Sequence, residues 1–485
     1  MLSEIVTQLS TLLVISQVFP PDAAAVGRPL ADVAEEMARR GWRVVVVTAG
    51  NGYEDPAVRY RAHETLRGVD VRRLSAASFG KATLAHRLLG GGLFVAQALA
   101  YGLFIRRATV VLVSTSPPFA GFAGAILAWL RGLPTVWWVM DLNPDQIVAA
   151  GRLAPHAWPV RLFDAMNRIT LRVARRVIVL DRFMQQRVEA KIFQKAPGDS
   201  QEARGASRGN TLPASKNHPH SLSSRCGLQH NSFLTCTHEN ATSKSASPGD
   251  CSGFLGSARD TGDRRHLKMQ VIPPWSAARP GGWRPPWPNA FRDARGLDRK
   301  FVVMYAGNHA LQHPLDTLLD AAARLEHDRD VAFVFIGGGA GKAAIDAQIR
   351  AGAANLVSLP FQPAEHLDDV LTAADVHVVS MGADVVGIVH PCKIYGALAV
   401  GRPVLFFGPA ESPPGELLAD LGGGYRVDHG DVAGAVEAIR SLRSLAPQTR
   451  AAMGQASAHA IATRFGAYEL CREVCDLIET SQDSR

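Results

Sequence analysis

Apolar residues along this chain follow two alternating rhythms. Short runs such as Leu12–Gln17, Val44–Thr48, Thr109–Thr115 and Thr135–Met140 are almost continuously apolar, whereas Gly27–Arg40 repeats its apolar positions every three or four residues. The first rhythm predicts strands buried on both faces; the second predicts the helices that cover them. Further strands fall at Arg176–Leu180 and Lys268–Trp275, with helices running up to Arg131 and over Arg182–Lys191. A second series starts at Phe301–Ala306 and continues through a helix at Leu315–Leu325 to strands at Val331–Ile336, Asp375–Ser380 and Val404–Phe407. Strand, crossover helix, strand is the grammar of a parallel sheet. The fold class is α/β, in two Rossmann-like domains.

Between the two series the rhythm lapses. Residues 194–266 are rich in Ser, Gly, Asn, His and Thr without sustained periodicity, and read as a disordered low-complexity insertion near the end of the N-domain. The predicted N-domain is therefore 1–193, resuming at 267–275. Residues 276–299, rich in Pro and Arg, form an interdomain linker, 300–462 the C-domain, and 463–485 a C-terminal helix that could cross back to the N-domain. Cys226, Cys236 and Cys251 share the insertion with His218, His220, His230 and His238, but neither C-x-x-C nor finger-type His spacing occurs, which argues against zinc.

The run Leu88–Ile105 is uncharged, with His86-Arg87 before it and Arg106-Arg107 after it. As a helix it would be about 27 Å long, marginal for a bilayer, so it is either packed into the domain or laid on a membrane surface. A length of 485 residues suits two domains, and 47% apolar content excludes global disorder. The net charge of +8 favours a polyanionic neighbour: anionic lipid, nucleotide or nucleic acid. Nucleic acid is the weakest of these, because no aromatic platform interleaves the basic residues. Six Cys make no disulfide framework, and the first residues lack a basic leader, so the expected setting is cytoplasmic.

Candidate chemistry gathers at strand ends. His390-Pro391-Cys392-Lys393-Ile394-Tyr395 opens a short helix ended by Gly401 and Pro403. A Lys beside free helix N–H groups is an anion site in waiting, or else a solvated Lys on an ordinary α/β unit. Gly307-Asn308 and Gly337-Gly338-Gly339 follow strands, where a residue without Cβ lets backbone N–H groups approach a phosphate. Asp141 comes straight off a strand, the place where open α/β sheets keep working carboxylates; Asp145 fits a helix cap. No G-x-G-x-x-G follows the first strand; Pro20-Pro21 and then Ala23 to Gly27 leave room for a ligand there, or simply pack.

Several segments taken together resemble a GT-B glycosyltransferase of the large retaining family four: Val18-Phe19-Pro20-Pro21, Val136 to Pro144, Tyr305-Ala306-Gly307-Asn308, and Pro391-Cys392-Lys393 running on to Gly401-Arg402-Pro403. The likeness is to the bacterial surface-polysaccharide, fucosamine-transferring branch. It implies two Rossmann-like domains facing each other and a nucleotide-diphosphate sugar as donor, bound by Gly307, Asn308, Gly338, His390, Pro391, Lys393 and Tyr395. Lys393 and Asp141 would be the catalytic pair, with Asp141 turned to the acceptor, and Pro20, Pro21 and Gly27 would line the acceptor site. The acceptor would be lipid-linked or a saccharide, reached from the inner face of the plasma membrane through peripheral contact with anionic lipid. Retention without a metal or a cofactor is expected. The family's Glu-x7-Glu pair is absent: Ile388 and Gly396 stand at its two positions, and Asn308 to His313 replace the usual Arg and Lys. A nucleotide-sugar 2-epimerase and an inactive nucleotide-sugar binder are the alternatives.

Overall fold

The computed structural model describes residues 10–22, 26–52, 57–75, 84–193, 269–276 and 283–482. The predicted insertion lies outside them, as do Ala23 to Ala25. The chain divides into a large unit, 1–192 with 260–485, and a second, 193–259, of which only Phe193 is described. Both sheets of the protein belong to the large unit.

The N-terminal half of this unit is an eight-stranded sheet in the order β3-β4-β2-β1-β5-β6-β7-β8. The strands are β1 Thr11–Ile15, β2 Arg43–Ala49, β3 His63–Leu66, β4 Val69–Leu74, β5 Val110–Ser114, β6 Thr135–Trp138, β7 Arg176–Val179 and β8 Met269–Val271. All pairs are parallel except β3 with β4. In the central strand Leu12 sits opposite Val44 on one side and Val110 on the other, and β1, β5 and β6 are wholly buried, as continuous apolar runs require. The helices are α1 Gly27–Arg39, α2 Leu84–Phe104, α3 Ala120–Arg131, α4 Asp145–Ala149, α5 Trp158–Val173 and α6 Arg182–Phe193.

The C-terminal half is a six-stranded parallel sheet, β11-β10-β9-β12-β13-β14. It contains β9 Phe301–Ala306, β10 Val331–Ile336, β11 Leu356–Leu359, β12 Val376–Ser380, β13 Val404–Phe407 and β14 Gly424–Val427. Helices α7 Ala290–Asp293, α8 Asp316–Arg324, α9 Lys342–Arg350, α10 Leu367–Thr372, α11 Lys393–Ala399, α12 Pro413–Leu421, α13 Val432–Ser444, α14 Pro447–Arg464 and α15 Ala467–Gln482 complete it.

Three features depart from the sequence reading. The stretch expected to be linker holds α7, capped by Asn289, whose side chain accepts from the Arg292 N–H at 3.1 Å. Phe291 and Arg292 are buried, and the Arg292 guanidinium bonds the Ala373 and Lys300 carbonyls and Asp375, so this part belongs to the C-domain packing. Second, α2 presents two faces at once: Phe94 and Ala98 are in the core while Leu89, Leu93 and Phe104 are exposed. Among the described residues no helix is long and apolar enough to cross a membrane. Third, α5 and the β3–β4 hairpin have no counterpart in the sequence reading.

The chain end returns to the first half. On α15, Val474, Cys475 and Ile478 are fully buried, and the Cys475 thiol lies 3.9 Å from the Val33 carbonyl of α1. Arg40 pairs with Asp476 at 2.6 Å and with Glu479 at 2.9 Å.

Candidate active site

The loop before α11 is pinned to the N-terminal half. Leu142 N–H donates to the Ile388 carbonyl at 2.8 Å, and Arg187 Nε donates to the Val386 carbonyl at 2.7 Å. Gly387 has φ +72°, and a Cβ there would fall 2.6 Å from the Phe183 carbonyl oxygen. Only glycine fits. The loop then reaches His390, whose Nδ1 is 2.7 Å from Asp181 Oδ2 and whose Nε2 is 3.1 Å from the Tyr395 hydroxyl. A carboxylate only accepts, so Nδ1 carries the proton and Nε2 accepts from Tyr395. The other oxygen of Asp181 caps α6, accepting the Met184 N–H at 2.8 Å. Both ring nitrogens of His390 and the hydroxyl of Tyr395 are thus spent within the protein. These two sequence-predicted donor ligands hold the turn at Pro391 in place.

Lys393 follows that turn. Its ammonium sits 3.7 Å from the centre of the Tyr305 ring, is buried, and meets no hydrogen-bond acceptor. Burial lowers its pKa from 10.5 to about 7. The expected alternative, a solvated Lys, is corrected by these facts. Helix α11 has only 7 residues, so the local positive charge rests on this side chain more than on a helix dipole.

Gly307 closes one side of the Lys393 pocket. Its φ is +131°, and a Cβ would touch Lys393 Cε and Nζ at 3.5 Å. Its N–H already donates to the Ile336 carbonyl at 2.9 Å, so its contribution is backbone shape, where the sequence suggested a free donor. Asn308 lends its carbonyl to the Tyr305 hydroxyl at 2.8 Å. Gly338 accepts the His309 N–H at 2.7 Å and lies under the Phe361 ring. Lys342 donates to the Gly337 and Leu359 carbonyls, each at 2.7 Å, tying the ends of β10 and β11.

Two histidines that sequence reasoning passed over complete the cluster. His309 is fully buried, its ring 4.8 Å from that of Tyr305, and neither ring nitrogen has a hydrogen-bond partner. Burial and the Lys393 charge lower its pKa to about 4. His313 donates from Nδ1 to the Ser380 carbonyl at 2.7 Å, and the same causes hold its pKa at about 3. At neutral pH both rings are uncharged. Their signal in the sequence was only that they occupy the place of the family's cations.

Asp141 emerges from β6, its N–H donating to Thr115 Oγ1 at 3.2 Å. Burial pushes its carboxyl up to about 6. Burial, and after it the Asp141 charge, push the Cys392 thiol up to about 12, and Leu142, next to Asp141 in the chain, bonds the loop that leads into α11. Asp145 instead pairs with Lys191 at 2.7 Å and serves structure. Pro20, Pro21 and Gly27 stay at the C-terminal edge of the first sheet: the Pro20 carbonyl accepts from Arg73 at 2.9 Å, and Gly27 abuts Val18. A Cβ on Gly396 would lie 3.6 Å from Ser276 Oγ. Among the described residues no group of three His, Cys, Asp or Glu side chains is placed to hold a metal ion. A cavity of about 300 Å³ between α1 and the α14–α15 corner, bounded by Arg28, Glu36, Phe465 and Tyr468, contains none of the sequence-predicted site residues.

Two sheet domains, with the loop after a strand-end carboxylate of the first bonded to the loop that leads into the lysine turn of the second, define a protein of the GT-B class. Residues 25–198 match the family described as "Glycosyl transferase 4-like domain", and 289–460 match "Glycosyl transferases group 1". The chain belongs to the GT-B glycosyltransferase family. A curated relative, the putative colanic acid biosynthesis glycosyl transferase WcaI of Escherichia coli K12, is 31% identical over 128 residues, which is 26% of this chain and 31% of that protein's length. Among solved structures, Anabaena HepE in complex with UDP-glucose has a TM-score of 0.59 at 14% identity, covering 97% of this chain and 99% of its own. The sucrose-phosphate synthase of Thermosynechococcus elongatus has a TM-score of 0.64 at 14% identity, over 97% and 98% of the two chains. WaaG, a glycosyltransferase involved in lipopolysaccharide biosynthesis, gives 0.59 at 15% identity, over 96% and 99%.

Proposed function

We propose that this protein moves a hexosyl or N-acetylhexosaminyl group from a nucleotide-diphosphate sugar to a lipid-linked or saccharide acceptor during cell-surface polysaccharide synthesis. The carrying observation is the Lys393 ammonium, buried without a hydrogen-bond acceptor beside Gly307 and over the Tyr305 ring. A buried cation without an acceptor or counter-ion costs free energy unless a ligand supplies the counter-charge. A diphosphate supplies it.

In the transfer, the acceptor oxygen bonds to the anomeric carbon, the bond from that carbon to the diphosphate breaks, and the acceptor proton leaves with the nucleotide diphosphate. Lys393 neutralises the charge that grows on the leaving oxygen, in a site where a fixed cation is worth most. The neutral rings of His309 and His313 add no competing charge. Asp141 faces the acceptor hydroxyl and orients it. Members of the family lack the paired carboxylates of retaining hydrolases, so front-face attack with retention is the expected course. Lys393 takes the part that a metal would otherwise play, and no cofactor is required. The setting is cytoplasmic, at the inner face of the plasma membrane, with peripheral contact to anionic lipid. The resemblance to WcaI and WaaG supports the surface-polysaccharide reading.

Gly396, where the family carries a Glu, favours a second reading: nucleotide-sugar binding without turnover. A thermal-shift panel of UDP-, GDP-, ADP- and dTDP-sugars, followed by release of nucleotide diphosphate with and without membrane-extract acceptor, separates the two. Stabilisation by one donor with acceptor-dependent release supports transfer; stabilisation with no release supports the second reading; absence of any stabilisation overturns both.

A further inference from the structure

We infer that an anionic lipid bilayer docks on a composite face made by α2, α3 and α5, with the outer stripe of α5 as its centre. This deepens the membrane contact proposed above, which the sequence placed on α2 alone. Helices α1 and α2 both pack on β2 and β4; α2 adjoins α3, and α3 adjoins α5. The three therefore form one outer layer. Glycines on α3 let that layer close up: a Cβ on Gly121 would strike Trp137, and one on Gly124 would strike Val113 and Thr135.

The outer side of this layer is unusually apolar. Of the fifteen large apolar side chains exposed among the described residues, nine lie on these three helices. Phe104 is 83% exposed, Trp129 80% and Trp158 75%. On α5, Trp158, Leu162, Ile169 and Val173 fall within about 60° of helical arc at 3.6 residues per turn, so they make one continuous stripe. The face of α5 that packs inward carries Asn167 and Thr170 beside Val160, Phe163 and Leu171. Large apolar groups outside and amides or hydroxyls inside invert what an ordinary surface helix shows. Exposed apolar area of this extent marks an interaction site.

Charge selects the occupant. From Val71 to Met140, seventy residues, the chain has no Asp or Glu but has six Arg and one Lys. The sole acid of α5, Asp164, is held by Lys191 at 2.6 Å. Arg106 and Arg107 stand exposed after α2, and Arg161 and Arg168 line one flank of the α5 stripe. Tryptophans among apolar side chains, bordered by arginines and with the one acid of α5 paired, match the headgroup region of an anionic leaflet.

Co-sedimentation of the intact protein with vesicles of phosphatidylglycerol and phosphatidylethanolamine, against phosphatidylcholine alone, tests the inference. Binding to the anionic vesicles only, released at 1 M salt, where the Debye length is about 3 Å, is expected. Replacing Trp129, Trp158 and Leu162 by Ser should weaken partition at least tenfold. Arg161→Glu with Arg168→Glu should weaken it by roughly fivefold or more per site. Both sets lie on the surface, and unchanged circular dichroism and donor thermal shift would confirm intact folding and donor binding. Equal recovery on neutral vesicles, or variants that bind like wild type, overturns the inference. So does a concentration-dependent dimer abolished by the same substitutions, which would make a second copy the occupant. Vesicle binding that appears only after removal of residues 194–265 would show that this segment covers the face, and would also overturn it. Loss of the donor thermal shift with vesicle binding retained would instead count against the donor reading alone.

Discussion

Asp181 and His390, 209 positions apart, meet through a 2.7 Å hydrogen bond that joins the corner after β7 to the turn before α11. The side chains are 10% and 1% exposed, so little water competes for the contact. One carboxylate thereby caps α6, fixes the His390 tautomer and, through Tyr395, steadies the turn that carries Lys393. Tyr395 also packs on Phe465, at 5.2 Å between ring centres, linking the chain to the α14–α15 corner.

Asp181→Ala should leave the Met184 N–H and His390 Nδ1–H without an acceptor, at a cost of about 1–3 kcal/mol for each buried group. Asp181→Asn should cost less. In a double-mutant cycle with His390→Gln, urea unfolding should give a coupling of about 1–3 kcal/mol. Additive effects would remove the relay from the account.

Gly387→Ala puts a Cβ 2.6 Å from the Phe183 carbonyl at a φ of +72°. The loop must move off the N-terminal half, carrying Ile388 and His390 with it. A stability loss above about 1 kcal/mol, with a melting decrease of roughly 2–4 °C per kcal/mol, is expected in calorimetry. Wild-type melting would show that the seam is loose.

Asp141→Asn should leave donor binding intact and lower turnover by at least about a hundredfold, and wild-type turnover should rise as pH passes about 6. The stability signs are opposite to those of a salt-bridged carboxylate. The folded pKa, about 6, exceeds the ordinary 3.8, so the folded state holds the proton more tightly and stability falls as pH rises through that window. Asn therefore raises the melting temperature at pH 7, and the gain vanishes below about pH 4, where both states are protonated. A melting temperature lowered at pH 7 would contradict the burial of this carboxylate.

The legible parts were the strands buried on both faces. Val44 to Val47 and Phe301 to Tyr305 announce themselves because each of these residues is apolar. The β3–β4 hairpin did not, because His63 and Thr65 are exposed and only one face of β4 is buried. Helix α5 was missed for a related reason: its apolar residues stand on both sides, and Asn167 and Thr170 sit inside. At the site, Lys393 and Asp141 were readable from motif and strand end. Their surroundings were not. That Lys393 is buried depends on Tyr305 and Gly307, that His390 faces Asp181 depends on two halves meeting, and neither relation has a local signal. Residues 194–266, read as an insertion, lie outside the described residues.

The central claim is that Lys393 receives the donor diphosphate. Its apo pKa of about 7 gives that claim a direct test, because a diphosphate beside it must raise the pKa and draw in a proton. The probe is whichever nucleotide-sugar stabilises the protein in the panel, since its doubly esterified diphosphate does not itself titrate near neutrality. Isothermal titration at pH 7 to 8.5, in buffers of different ionisation heat, should show proton uptake approaching one per site. Affinity should fall by up to about tenfold per pH unit. Lys393→Met should abolish the linkage, weaken binding by about 2–4 kcal/mol and raise the melting temperature of the ligand-free protein, most at pH 7 and below. Binding that is independent of pH, takes up no proton and survives Lys393→Met unchanged would contradict the account.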